Sequence, residues 1–295
     1  MIISRLQGGL GNQMFQYAVA RALEKKTDKN IYLDLDFLQQ NNISTDSFTA
    51  RDFELNIFPN LRAKEIKKLP REILLSQRIR YKIVRNYLKP VLKVVEQYGC
   101  EFIELPVSRK YSVIYLSGYF QSEKYFSSIR KDLISDFRFP LLDVKNEELK
   151  LKILDENSVS IHVRRGDYLK KCSVNVHGVL DLEYYKKAIE YLKEKETSLT
   201  FYIFSDDIEY VKNNFNFLSN IKIVDINAGK DSWKDMALMQ SCKHHIVANS
   251  SFSWWGAWLS ERGGINIAPS KWYSEYVNYN IFDFIPNEWE IINLE

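Results

Sequence analysis

The 295-residue chain has few of the residues that define disulfide-rich or metal-binding proteins. Its three cysteines, Cys100, Cys172 and Cys242, are scattered singly and fit neither a disulfide framework nor a metal cluster. Of its four histidines only His244 and His245 are adjacent, and neighbours in a strand face opposite sides, so a shared zinc ion is not expected. A reducing cytoplasm is the simplest compartment for such a chain.

Long apolar runs and a strong charge of either sign are also missing. No stretch approaches the roughly 18 consecutive apolar residues of a membrane-spanning helix, and the first six residues resemble a strand rather than a signal peptide. The net charge is only +3, with 41 Lys and Arg against 38 Asp and Glu. Because this charge is mild and mixed, it argues for neither nucleic acid nor a membrane as partner, and a small anion is the simpler expectation.

What the chain does have is a repeated alternation of strand and helix patterns. The first half begins with a strand, a glycine loop, a helix and a second strand at 31–36, and the second half repeats this alternation from the strand at 158–164 to a last strand at 265–267. Residues 60–100 suggest helices with basic outer faces, and in the second half Asp181 can cap a helix whose Tyr185, Ile189 and Leu192 line one face. The expected fold class is α/β, with two Rossmann-like domains, 1–150 and 151–295, facing a central cleft and joined near 137–152.

The run Ile161–Tyr168 is the most informative segment. Strand alternation turns Val159, Ile161 and Val163 towards the core and puts His162 and Arg164 on the opposite face. Open parallel sheets bind ligands where a strand meets its loop, and arginine offers a fork of donors that suits phosphate. The alternative is a solvated Arg-Arg pair, but the position favours a phosphate site.

Three loops could complete that site. The loop Gly8–Gln13 precedes a helix, so its backbone N–H groups could face an anion, although Met14 stands where a dinucleotide motif has its third glycine and a simple tight turn is an equal alternative. Ser205–Asp207 follows a strand, where one Asp could cap a helix and the other could contact a ligand or a metal ion. Ser250–Ser253 joins a strand to a helix. Its hydroxyl and N–H groups could bind an anion, or one serine could simply cap the helix. The Asp34–Asp36 pair also matches a loose metal-binding pattern, but alternation explains it better as one polar face of a strand.

Taken together, these motifs resemble those of glycosyltransferase family 11, the bacterial and animal α-1,2-fucosyltransferases. The residues that carry the resemblance, over about 5–270, are Gly8–Gln16, His162–Tyr168, Phe204–Asp207 and Asn249–Trp258. The resemblance implies a GT-B-like fold and inverting transfer of L-fucose from GDP-fucose to O2 of a galactose, without an obligate metal or other cofactor. The acceptor would be a galactose-terminated oligosaccharide or lipid-linked glycan of a bacterial surface, which leaves peripheral attachment to the inner membrane open.

The resemblance also implies roles for particular residues. Arg164 would hold the β-phosphate, His162 and Asp206 would lie at the guanosine, and Ser251 and Phe252 would meet the phosphates. The C-terminal domain would bind GDP-fucose. The N-terminal domain would face the acceptor, and its glycine loop would close over the donor through Gly9, Leu10, Gly11, Asn12 and Gln13. Asp167 and His177, in the loop after the phosphate-binding strand, are the candidates for the catalytic base.

Two other classes of function stay open at this stage. A nicotinamide-dependent oxidoreductase is suggested by the first β-α-β unit with Asp34, although the incomplete glycine motif speaks against it. A non-enzymatic glycan-binding module is suggested by the 14% aromatic content, but it would not need a diphosphate site.

Overall fold

The computed structural model describes residues 1–45, 48–67, 69–99, 101–166, 178–274, 277 and 279–294. The chain forms two compact units, of which the first is Met1–Ser44 with Ala50–Phe139 and the second is Pro140–Glu295 with Thr45–Thr49. The break falls inside the predicted junction 137–152, but the predicted boundary at 150 lies within the helix Val144–Asp155. That helix belongs to the second unit, where the Arg262 guanidinium donates hydrogen bonds to carbonyls at the C-terminal end of the helix.

The first unit is built on a parallel sheet of five described strands in the order β3-β2-β1-β5-β4. The strands are β1 (Ile2–Arg5), β2 (Ile31–Asp34), β3 (Ala63–Glu65), β4 (Leu92–Glu96) and β5 (Val113–Ser117), and the helices are α1 (Leu10–Thr27), α2 (Asp36–Gln40), α3 (Arg71–Leu75), α4 (Ile79–Leu88) and α5 (Arg130–Asp136). The central strands are buried, as expected where helices cover a parallel sheet.

Two predictions for this unit are wrong in detail. The strand predicted at 31–36 ends at Asp34, and Asp36 begins helix α2, so the two carboxylates do not share one strand face. Residues 60–100 contain helices α3 and α4 as predicted, but also the strands β3 and β4. These are the two edge strands of the sheet, and each carries one exposed lysine, Lys64 or Lys93, which weakens the apolar signal of a strand.

The second unit contains a parallel sheet of six described strands in the order β11-β10-β9-β6-β7-β8. The strands are β6 (Asn157–Val163), β7 (Leu199–Ser205), β8 (Ile221–Val224), β9 (His244–Ile246), β10 (Asn266–Pro269) and β11 (Glu290–Ile292), and the helices are α6 (Val144–Asp155), α7 (Leu182–Lys195), α8 (Ile208–Asn214), α9 (Trp233–Ser241), α10 (Ser251–Trp258) and α11 (Ile281–Phe284). The strand predicted at 265–267 is not the last one, because β11 pairs with β10 beyond it.

Both faces of the second sheet are buried. Val159, Ile161 and Val163 pack on one face, as their alternation predicts, in the cluster that also contains Tyr185 of α7. The opposite face of β6 carries Ser160 and His162, and helices α6 and α9 contribute to its apolar cluster. Among the described residues no helix combines the length and the apolar composition needed to cross a membrane.

A buried ion pair stabilises the first unit. The Arg21 side chain is 2% exposed, and its Nε donates to Asp136 Oδ2 at 2.8 Å. The Tyr17 hydroxyl donates to the same oxygen at 2.8 Å. Arg21 also pairs with Asp132 at 3.4 Å, but the side chain of Asp132 is 35% exposed.

Asp136→Ala should therefore destabilise the protein strongly, because it removes the buried carboxylate that accepts from both Arg21 Nε and the Tyr17 hydroxyl and leaves the guanidinium only its more exposed partners Glu24 and Asp132. We expect a loss of roughly 3–5 kcal/mol in the free energy of unfolding, measured by urea denaturation. Asp132→Ala is the matched control and should cost about 1 kcal/mol or less, since water screens this exposed pair. Equal losses of unfolding free energy in the two variants would contradict the conclusion that Asp136 is the main partner of the buried Arg21.

Candidate active site

The strand order of the second sheet defines where a ligand can bind. From β6 the chain proceeds to β7 and β8 on one side and then to β9, β10 and β11 on the other side. The order therefore reverses between β6 and β9, and open parallel sheets bind ligands at the carboxyl ends of the strands at such a point. Arg164 follows β6, Asp206 follows β7, and Ser251 begins the helix after β9, so these predicted residues belong to one edge of one sheet.

His162 is buried at the end of β6. Its side chain lies 5.9 Å, centroid to centroid, from the ring of Phe252, the second residue of α10. Burial first, and the neighbouring positive charge of Arg164 second, lower the pKa of His162 to about 3, although Asp206 opposes this shift. The imidazole is therefore neutral at physiological pH. Its buried Nδ1 has no hydrogen-bond partner among the described residues, so it can bond to a ligand.

Arg164 and Asp206 form the central contact of the site. Arg164 Nη1 lies 2.7 Å from Asp206 Oδ2, and both side chains are about three-quarters buried. Asp206 Oδ1 accepts hydrogen bonds from the backbone N–H groups of Arg165 at 2.9 Å and Gly166 at 3.0 Å. A Cβ at position 166 would lie 2.8 Å from Asp206 Oδ2, so any other residue here would displace the carboxylate.

The electrostatics of Asp206 fit this arrangement. Burial raises the pKa of Asp206, but Arg164 and the two backbone N–H groups lower it, and the net pKa lies below the ordinary value. Asp206 is thus an ionised group that holds Arg164 and the backbone after β6, whereas the resemblance placed it at the guanosine.

The neighbouring Asp207 has a different role, because it caps a helix. Its side chain caps helix α8 by accepting a hydrogen bond from Tyr210 N at 2.9 Å. Its other oxygen accepts from Arg165 Nε at 3.3 Å, and the Arg165 guanidinium carbon lies 3.6 Å from the centre of the Tyr210 ring. One Asp of the pair is therefore a helix cap, as the sequence suggests, and Arg165 is held by the start of the same helix.

The start of helix α10 supplies the third part of the site. Ser250 caps the helix, because its hydroxyl accepts a hydrogen bond from Phe252 N at 3.3 Å. Since Ser250 does the capping, the half-buried Ser251 hydroxyl is left without a hydrogen-bond partner among the described residues. The N-terminal end of a helix, with a hydroxyl group beside it, suits an anion.

Two tyrosines of helix α7 hold the backbone of the site through hydrogen bonds, a role that the sequence did not predict. The sequence predicts Tyr185 only as part of an apolar face. In the structure its hydroxyl donates to the carbonyl of His162 at 3.1 Å, and the Tyr184 hydroxyl donates to the carbonyl of Val247 at 2.7 Å. Both rings are fully buried, so helix α7 fixes the backbone on either side of the point where the strand order reverses.

A carboxyl group on α9 was also missed. Asn227 Nδ2 donates to Asp235 Oδ1 at 2.7 Å, and burial raises the pKa of Asp235 to about 7. Helix α9 packs on the sheet face that carries Phe204, the register partner of His162. Strongly shifted carboxyl groups concentrate at functional sites, which makes Asp235 a further candidate. Sequence spacing offers no signal for it, because only burial distinguishes it from a surface residue of a helix.

In the first unit, the glycine loop lies after β1 and is held by its own side chains. Gly8 has a φ of 77°, which favours glycine. The Gln13 side chain is buried and donates to the carbonyls of Gly8 and Asp52, both at 2.8 Å. Asn12 Oδ1 accepts from Gln121 Nε2 at 2.6 Å. The polar side chains of this motif therefore shape the loop.

A carboxylate occupies the helix start in this loop. Leu10 N donates to Glu54 Oε2 at 3.2 Å, and Gly9, the residue before α1, lies against the side chains of Arg51 and Glu54. Leu10 and Gly11 are themselves buried. Closure of Gly9–Gln13 over a donor concerns the arrangement of the two units, as does the predicted cleft, and both stay predictions.

The other predicted positions lie in the first sheet or outside the described residues. Asp34 is fully buried and accepts a hydrogen bond from the Tyr115 hydroxyl at 2.8 Å, so it supports the first sheet. Asp167 and His177, the candidates for the catalytic base, lie outside the described residues.

Comparison with known proteins identifies the family. The family model of glycosyl transferase family 11 matches residues 1–293. The chain is 37% identical to an alpha-1,2-colitosyltransferase of Escherichia coli, with 98% of each chain covered. It is 35% identical to the O-antigen biosynthesis glycosyltransferase WbnK of Escherichia coli, over 92% of this chain and 94% of that one. The protein therefore belongs to glycosyltransferase family 11, which favours the transferase over the oxidoreductase and the glycan-binding module.

More distant proteins agree with this assignment. The galactoside alpha-(1,2)-fucosyltransferase 1 of Leontopithecus chrysomelas is 28% identical over 49% of this chain and 42% of its own length. Among solved structures, the fucosyltransferase NodZ from Bradyrhizobium superimposes with a TM-score of 0.51 at 13% identity, over 87% of this chain and 90% of that one. At this identity the likeness establishes the fold alone, which is α/β and GT-B-like as predicted.

The buried histidine predicts a pH dependence of stability. Because the folded-state pKa of His162 is about 3 and its ordinary value is 6.5, the unfolded chain takes up a proton first as the pH falls. This contribution is fully present above pH 6.5 and is lost towards pH 3. We expect His162→Gln to reduce the slope of unfolding free energy between about pH 4.5 and 6 by roughly 1.4 kcal/mol per pH unit, measured by urea denaturation. An unchanged slope would mean that the folded protein carries a charged His162.

Proposed function

We propose that the protein is an inverting α-1,2-fucosyltransferase that moves L-fucose from GDP-fucose to O2 of a terminal β-galactose. The observation that supports this most directly is the Arg164–Asp206 pair at the point where the strand order reverses. It presents a fixed guanidinium beside a neutral histidine and a capped helix start, which is a suitable arrangement for a nucleoside diphosphate.

Arg164 would act on the leaving group. As the bond between fucose and GDP breaks, negative charge develops on the β-phosphate, and a positioned guanidinium stabilises that charge. Ser251 and the N–H groups at the start of α10 would bind the phosphates beside it, and Phe252 would contribute through its backbone. His162 would offer Nδ1 to the guanosine. Because Arg164 supplies the positive charge, we propose that transfer needs no metal ion.

Asp206 would contribute to donor binding indirectly, by positioning Arg164. Its two oxygens are engaged by Arg164 and by the N–H groups of Arg165 and Gly166. A carboxylate engaged in this way acts as a positioning residue, because it sets the direction of the guanidinium. This differs from the direct guanosine contact that the resemblance implies, and the two roles can be separated by experiment.

Transfer of colitose is the second candidate function, because the relative at 37% identity is named an alpha-1,2-colitosyltransferase. Colitose is L-fucose without its 3-hydroxyl group, so the two donors would share the nucleotide and differ at one position of the sugar. Fucose is preferred here because this chain is also similar to galactoside alpha-(1,2)-fucosyltransferases of animals, such as the enzyme of Leontopithecus chrysomelas.

The acceptor and the compartment belong to the same proposal. The likeness to an O-antigen biosynthesis glycosyltransferase supports a galactose-terminated surface glycan, free or lipid-linked, as acceptor. A cytoplasmic location would fit free thiols, and Cys242, the cysteine that the structure describes, is buried and unpaired. We place the donor site in the second unit and the acceptor side in the first.

The donor can be identified by direct assay. Purified protein with GDP-fucose and a panel of β-galactosides should yield an α-1,2-linked product, with the linkage read by NMR. The value of kcat/KM for GDP-fucose should exceed that for GDP-colitose by roughly tenfold or more, since a site that bonds a hydroxyl group rejects a sugar without it. Activity should persist in excess EDTA. A preference for GDP-colitose would select the second candidate, and loss in EDTA with rescue by Mn²⁺ would refute metal independence.

Substitutions at the central pair test how the site works. Arg164→Ala should lower kcat/KM by about 2–4 kcal/mol of transition-state stabilisation, and Arg164→Lys should not restore it fully, because lysine lacks the guanidinium fork. If Asp206 acts through Arg164, the double variant Arg164→Ala/Asp206→Asn should be no worse than Arg164→Ala. Additive losses would instead indicate that Asp206 acts independently of Arg164, either by direct contact with the donor or through the backbone after β6.

Arg165→Ala is the matched control for removing one positive charge at this edge. Its guanidinium is already held by Asp207 and Tyr210, so the loss of activity should be clearly smaller. Near wild-type kcat/KM in Arg164→Ala would overturn the phosphate assignment.

A further inference from the structure

Helix α4 of the first unit has an exposed apolar stripe. Ile79, Ile83 and Tyr87 are 76%, 53% and 82% exposed, and no residue of the helix is buried. At 100° per residue these three positions fall within roughly 80° of the helix circumference, so their side chains form one continuous stripe. Large apolar side chains gathered in this way on a surface mark a site of interaction.

The orientation of the stripe is fixed by contacts on the other side of the helix. The Tyr81 hydroxyl donates to the Glu72 carboxylate of α3. Arg85 Nη1 donates to the carbonyls of Ile73 and Ser76, both at 2.9 Å. These bonds hold the opposite face of α4 against α3, which leaves the apolar stripe facing outwards.

The stripe lies in the most basic part of the chain. Residues 62–93 contain eleven Lys and Arg against two Glu, whereas the whole chain has a net charge of only +3, so the remaining residues are net negative. Arg80 and Lys82 flank the stripe on its two sides and are exposed. Neither is paired with a carboxylate among the described residues.

We propose that α4 is a membrane-docking helix that lies in the surface of a bilayer containing anionic lipids. A short helix with an outward apolar stripe, a tyrosine and flanking cations matches the requirements of the lipid interface, where apolar side chains enter the acyl boundary and cations meet the headgroups. A second copy of the chain fits poorly, because a two-fold interface on this face would bring two strongly basic surfaces together. The proposal rests on the first unit alone and does not depend on the proposed function.

Vesicle co-sedimentation of the full chain tests the proposal. Wild-type protein should bind vesicles of phosphatidylcholine that contain about 30 mol% phosphatidylglycerol. Its binding to vesicles of pure phosphatidylcholine should be weaker by roughly tenfold or more. Ile83→Ser/Tyr87→Ser should reduce binding to the anionic vesicles by about tenfold, because it removes most of the stripe. Arg80→Glu/Lys82→Glu should do the same with the stripe intact, which covers the case in which the first variant fails to fold.

Leu141→Ser/Leu151→Ser is the matched control, since these leucines are 97% and 60% exposed in the second unit and should not affect binding. Three results would overturn the proposal. The first is wild-type protein that stays in the supernatant with anionic vesicles. The second is binding that depends on the charges but not on the stripe. The third is a dimer in light scattering that Ile83→Ser/Tyr87→Ser dissociates, which would assign the stripe to a second copy.

Discussion

The ion pair between Arg164 and Asp206 is the contact on which the candidate site depends. It joins the ends of two neighbouring strands, β6 and β7, and Asp206 also accepts two backbone hydrogen bonds from the residues after β6. Because one carboxylate holds both a side chain and a backbone segment, the guanidinium can be fixed before any ligand arrives. Preorganised charge of this kind is what a reaction with a developing anion requires.

Burial gives this site its chemical character. Loss of water keeps His162 neutral beside the positive charge of Arg164, so this edge of the second sheet combines a fixed cation with a neutral imidazole. The hydroxyl groups of Tyr184 and Tyr185 donate hydrogen bonds to backbone carbonyls beside the site. The rigid core and the binding edge are therefore one hydrogen-bonded structure. The apolar stripe of α4 differs from this site, because it lies on the other unit and consists of exposed side chains.

Local patterns predicted much of this fold. Asp181 caps α7, Ser250 caps α10, and Val159, Ile161 and Val163 share one core, because caps and alternation depend on residues that are close in sequence. The predictions were wrong where a tertiary neighbour decided the outcome. The edge strands β3 and β4 have little apolar pattern of their own, and β11 pairs with β10 from more than twenty residues away.

The sequence by itself determined the α/β class, the family and the identity of His162, Arg164, Asp206, Ser251 and Phe252 as candidates, since short motifs carry that information. Only the tertiary structure decided what these residues do to one another. Strand order places the ends of β6, β7 and β9 side by side, and that order is set by long-range pairing that no local pattern encodes. For the same reason the contact between Asp206 and Arg164 is visible only in the structure, and the face of α4 that points outwards is decided by the packing of its other face on α3.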